Sequence, residues 1–137
     1  MADDVLLNKA AIIERCLKRV REDYIGHETE LDTNHTRQDA IVLNLQRACE
    51  AAIDLAMHMV RIRRLGLPQE SREAFTLLEQ ARLLAPELAG RMRAMVGFRN
   101  IAVHQYQQLS LSILRAILEK RLHDFDEFTQ TLLTLKS

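Results

Sequence analysis

The stretch TRQDAIVLNLQRACEAAIDLAMHMVRIRRL, residues 36–65, decides the fold. Seventeen of its residues are apolar, and the polar ones between 47 and 61 (Arg47, Glu50, Asp54, His58, Arg61) step by three or four into one narrow stripe. Thr36 stands as its N-cap and Gly66-Leu67-Pro68 as its stop, so the spacing predicts one helix to about Leu65. At about 1.5 Å per residue such a helix is a rod of roughly 45 Å. A helix apolar over most of its girth must be covered from several sides. It is either central in a bundle or shared with a second subunit.

Working outward, Val5, Leu6, Ile12, Ile13, Cys16, Leu17, Val20 and Tyr24 predict a first helix to about Gly26, with Asp3 or Asp4 as cap. The segment His27 to Asn34 carries Glu28, Glu30 and Asp32 without a hydrophobic period and reads as a solvated loop. Ser71 is expected to cap a short third helix through Phe75, Leu77 and Leu78, and Pro86 suits the first turn of a fourth that runs towards Arg99. Ser110 caps a fifth, with Leu111, Leu114, Ile117, Leu118, Leu122, Phe125, Leu132 and Leu133 on one long face. The expected fold is an all-α antiparallel bundle of four or five helices, one domain over residues 1–137.

Composition agrees and narrows the function classes. Only 4 Gly and 2 Pro in 137 residues argue against an all-β meander. Lys+Arg and Asp+Glu are 19 each, so no global field steers the chain to nucleic acid or an anionic membrane, and any nucleic-acid site must be local. Cys16 and Cys49 have no second Cys or His at metal-ligand spacing, which disfavours a disulfide framework or a zinc site. Apolar runs such as Ala40-Ile41-Val42-Leu43 fall far short of a bilayer span, and the acidic opening Met1-Ala2-Asp3-Asp4 is unlike a signal segment. A cytoplasmic protein is expected.

One octet concentrates unusual chemistry: Arg99-Asn100-Ile101-Ala102-Val103-His104-Gln105-Tyr106. Residues five apart on a straight helix point about 140° away from each other, so Arg99 and His104 meet only if the helix ends or distorts near His104. Asn100 and His104, four apart, share a face and are placed to hydrogen-bond. In structural terms Arg99 and His104 are cations offsetting the macrodipole at a helix C-terminus, with Tyr106 packing at the bundle edge.

The octet resembles the R-x4-H motif of the HEPN superfamily, and its tyrosine matches the R-x4-H-x-Y of the HepT-like branch, the toxins of HEPN/MNT toxin–antitoxin pairs. The likeness extends to Leu45-Gln46-Arg47-Ala48-Cys49-Glu50-Ala51-Ala52-Ile53-Asp54-Leu55-Ala56, to Ser71-Arg72-Glu73-Ala74-Phe75-Thr76-Leu77-Leu78, to Pro86-Glu87-Leu88 and to Met95-Val96-Gly97-Phe98-Arg99-Asn100, covering roughly residues 5–130. It implies a helical homodimer that cleaves RNA without metal or other cofactor. Arg99 and His104 would be catalytic and Asn100 supporting. Tyr106 would be the site that a minimal nucleotidyltransferase (MNT) antitoxin adenylylates. Metal-free cleavage needs proton carriers and a cation beside the phosphorane. Histidine is the side chain whose ordinary pKa, roughly 6.5, lies near neutrality, and arginine offers a fixed fork for phosphate oxygens. One chain has one such histidine, and a two-fold dimer would supply a second.

Arg91 and Arg93, with Arg99 and against Glu87 alone, suggest a modest basic groove for RNA, or else only a solvated helix face. Asp54 and His58 are spaced for a structural hydrogen bond, or would line the cleft beside Arg99. His27, His35 and His123 carry no expected catalytic role, and no metal site is expected beside the octet. The alternative to a nuclease is a non-enzymatic helical subunit that holds a nucleotide or substrate for a separate nucleotidyltransferase.

Overall fold

Six α-helices follow one another in the described residues, 3–135, of the computed structural model: α1 (Asp4–Tyr24), α2 (His35–Ile62), α3 (Ser71–Gln80), α4 (Pro86–His104), α5 (Leu111–Lys120) and α6 (Leu122–Leu133). The long second helix is the spine. Ile41, Leu45, Ala48, Leu55 and Ala56 on α2 are fully buried, and its girth is covered within the chain by α1, α3 and α4. Its apolarity is thus explained by a central position. Among the described residues no helix is long and apolar enough to cross a membrane.

Caps set the helix starts. The Asp3 carboxylate accepts the backbone N–H groups of Val5 and Leu6 at 3.0 and 3.2 Å. Asn34, not Thr36, caps α2, its side-chain oxygen accepting from Arg37 N–H at 3.0 Å; Thr36 lies inside the first turn. Ser110 caps α5 as expected, accepting from Ile113 N–H at 3.3 Å. Ser71 does not cap α3, because Glu70 holds the N-cap position and Ser71 is the first helical residue. Its hydroxyl is thereby left for another partner.

The stop of α2 falls earlier than Gly66. Arg64 adopts φ 55°, and the N–H groups of Arg64 and Leu65 bond back to the carbonyls of Arg61 and Val60 at 3.2 and 3.0 Å. This is a Schellman turn with arginine in the left-handed position usually given to glycine. The end of α3 repeats it: Arg82 has φ 62° and Leu83 N–H reaches Leu78 O at 2.9 Å.

Two expectations are corrected. The fifth helix breaks at Arg121 (φ −125°, ψ −3°) into α5 and α6. The turn lets α6 pack on α1 and α4, burying Phe125, Phe128 and Leu132, with the Phe128 ring edge-on to Phe75 at 5.5 Å. The acidic segment after α1 is also more ordered than a solvated loop: it contains a 3₁₀ turn (Glu28–Glu30) and buries Leu31 completely. Its charges are satisfied locally and across the bundle. Glu30 pairs with His27 at 2.8 Å, and Arg115 of α5 reaches Asp32 at 3.2 Å and the Glu28 carbonyl at 3.0 Å.

Candidate active site at the end of α4

Pro86 opens α4 at its first turn, and Leu88, Met92, Met95 and Ala102 seat the helix in the core. The helix runs regularly to His104, where Gln105 (φ −141°, ψ 45°) leaves it while still donating its N–H to Ile101 O at 2.8 Å. A 3₁₀ turn, Tyr106–Gln108, then leads to the Ser110 cap. Because α4 stays helical through residue 104, Arg99 and His104 leave it about 140° apart. They do not share a face within one chain.

Their surroundings differ accordingly. Arg99 is half-buried and donates from Nη2 to Ser71 Oγ at 3.3 Å, while its Nε is buried with no partner among the described residues. Its guanidinium also faces Cys49, whose thiol is pushed up by burial, the positive charge acting in the opposite sense. His104 is exposed and makes no hydrogen bond or ion pair among the described residues. The expected Asn100–His104 hydrogen bond is not formed; Asn100 is half-buried one turn back.

Tyr106 is 40% exposed and donates its phenol to Asp39 Oδ1, on the first turns of α2, at 2.5 Å. Desolvation, then the hydrogen bond to Asp39 and its negative charge, push the phenol up to about 12. It therefore stays protonated at neutral pH. Asp39 is itself exposed.

Arg91 and Arg93 diverge. Two residues apart on α4, they reach opposite neighbours: Arg91 pairs with Asp124 at 2.9 Å and Glu127 at 3.5 Å on α6, and Arg93 with Glu79 of α3 at 2.9 Å. The acids that offset them lie outside the segment 86–106, so a local charge count misses them. Asp54 and His58 do not bond each other either. Asp54 pairs with Lys9 at 3.1 Å, and His58 with Asp3 at 2.7 Å and Arg61 at 3.2 Å, tying α2 to α1. His123, Asp124 and Glu127 offer ligand atoms within 4.8 Å of one another. Arg91 already bridges Asp124 and Glu127, which makes the cluster an ion-pair site.

Two site residues, Asp39 and Ser71, escape sequence reasoning. Asp39 is 67 positions from Tyr106 and Ser71 is 28 from Arg99, and no spacing rule links them.

The ribonuclease HepT-like family model matches residues 13–132. The mRNA nuclease HepT of Shewanella oneidensis is 46% identical over 126 residues, spanning 92% of this chain and 94% of that protein. A solved structure of a tri-AMPylated Shewanella oneidensis HEPN toxin in complex with its MNT antitoxin superposes with TM-score 0.93 at 43% identity, covering 98% of this chain and 100% of that one. A toxin–antitoxin structure with AMP-PNP superposes with TM-score 0.91 at 43% identity, covering 96% of this chain and 99% of that one.

Proposed function

The chain belongs to the HepT-like ribonuclease family, and from that premise we propose that it is an endoribonuclease toxin held in check by an MNT antitoxin. The observation that carries the reading is the R-x4-H-x-Y octet at the end of α4, with an anchored Arg99 and an exposed, unbonded His104, on a chain 46% identical to an mRNA nuclease. The substrate is RNA, with messenger RNA the first to test, and the site of action is the cytoplasm.

In the proposed mechanism the 2′-OH attacks the adjacent phosphorus and the 5′-oxygen leaves. His104 carries the proton, and the Arg99 guanidinium, anchored through Nη2 to Ser71 Oγ, takes the charge developing on the phosphate oxygens. Products are a 2′,3′-cyclic phosphate and a 5′-hydroxyl, and DNA, lacking the nucleophile, survives. The divergence of Arg99 and His104 favours a homodimer in which each cleft draws on both subunits. Val103 and Ile113, exposed large apolar residues beside the site, support such a face. Asn100 supports the helix end. Arg91 and Arg93, already in ion pairs, contribute to RNA binding through their remaining donors. Adenylylation of Tyr106 places a negative phosphate and a nucleotide two residues from His104, where the RNA phosphate must sit, and silences the nuclease.

The test is incubation of antitoxin-free protein with total RNA in excess EDTA, beside His104→Ala. Cleavage by the wild type alone is the expected result. Cleavage that needs magnesium, or that persists in the variant, overturns the mechanism.

A further inference from the structure

A tyrosine that receives a nucleotidyl group must surrender its phenolic proton as the oxygen attacks phosphorus, and the fold sets one acceptor within reach of it. Tyr106 sits on the turn after α4; among the described residues the single side-chain partner of its oxygen is Asp39 Oδ1 at 2.5 Å, delivered by a different helix. We propose that Asp39 is the general base for nucleotidyl transfer onto Tyr106, so that the toxin itself supplies a catalytic residue for its own modification. This rests on Tyr106 being the acceptor, as proposed above.

The electrostatics favour transfer over free ionisation. Loss of the proton to water would leave a phenolate and a carboxylate in contact, and the like charge of Asp39 is among the causes that hold the phenol protonated. Passing the proton to Asp39 leaves one negative charge instead of two. The step balances: Tyr106 Oη forms a bond to the α-phosphorus of ATP, the bond from that phosphorus to the bridging oxygen breaks, and pyrophosphate departs. The proton moves from Oη to Asp39 Oδ1 and then to solvent. Both residues are exposed enough to admit the triphosphate and the antitoxin.

The experiment uses the full-length toxin with its MNT antitoxin and ATP, following AMP addition by intact mass and locating it by peptide mapping. Asp39→Asn keeps the size of the side chain and an acceptor oxygen but not the basicity. It is expected to lower the maximal rate of modification by about 10²-fold or more, the usual reach of a positioned base, with antitoxin affinity unchanged and with Asp39→Glu recovering part of the rate. A rate for Asp39→Asn within about threefold of wild type would overturn the proposal, since the proton then goes to the antitoxin. So would a variant that needs more antitoxin yet reaches the wild-type maximum, because Asp39 would then be only a docking contact. Wild-type toxin that takes no AMP on Tyr106 would instead sink the reading of Tyr106 on which the inference depends.

Discussion

Arg91 shows how a single side chain can be misjudged by its neighbours in sequence. Its partner Asp124 is completely buried, with one oxygen held by Arg91 Nε at 2.9 Å and the other without a partner among the described residues. Arg91→Ala would leave that buried carboxylate with His123 Nε2 at 3.5 Å as its remaining side-chain partner among the described residues, and the expected cost is about 3 kcal/mol, read from urea denaturation. RNA affinity of this variant must therefore be measured far below its unfolding transition. Tyr106→Phe is the complementary case: it removes the phenolic oxygen, the proposed AMP acceptor, and its bond to Asp39 but leaves His104 in place. Retained RNA cleavage with no AMP gain on intact mass is the expected outcome. The octet itself was legible because Arg99, His104 and Tyr106 are close in the chain. Ser71, Asp39, Asp124 and Glu127 were not, because each is brought to its partner by helix packing.

At the scale of the helix, local rules placed the starts and stops of α1 to α4 within a few residues, and the misses have physical causes. The split at Arg121 has no glycine or proline to announce it, and the apolar positions Leu114, Leu118, Leu122 and Phe125 continue through it at helical spacing. Packing of α6 on α1 and α4 overrides the period. Arginine in the left-handed position at residues 64 and 82 is likewise invisible to a rule that looks for glycine. Relief of that strain makes Arg82→Gly stabilising by about 0.5 kcal/mol after the added freedom of the unfolded glycine is set against it, a shift that thermal melts in replicate can resolve. The first helix carries a pH-dependent tie. Asp3 caps α1 and bonds His58, which holds its carboxyl below the usual range. A group with a depressed folded pKa stabilises above its unfolded value, 3.8 here, and loses that contribution as pH falls through the lowered one. Asp3→Ala is therefore expected to reduce stability at pH 7 by about 1 kcal/mol or somewhat more, a lost cap plus a lost partner, and the difference from wild type is expected to shrink as pH falls below 3.8, as paired denaturation curves would show.

For the whole molecule, the continuity of the core sets what reagents can reach. Cys49 lies at 1% exposure with its thiol pushed up by burial, and Cys16 at 8%. Labelling of Cys49 by a thiol reagent is expected only as fast as the protein opens, and rapid labelling of the folded chain would contradict the packing described. The proposed two-subunit cleft makes a second global prediction. Arg99→Ala and His104→Ala proteins, each inactive alone, should regain part of the RNA cleavage when unfolded together and refolded, since mixed dimers would hold one intact copy of each residue. Mixtures no more active than their components would assign each site to a single chain. On the roles proposed above, the connector from His104 to Ser110 would place the proton carrier and the tyrosine that takes AMP only two positions apart, with Asp39 bonded to the tyrosine from α2. In heritable terms this couples harm to restraint. A deletion or rearrangement of the connector that frees the toxin from its antitoxin also displaces His104, leaving point changes at Tyr106 or Asp39 as the narrow mutational route by which a lineage could keep the poison and lose the remedy.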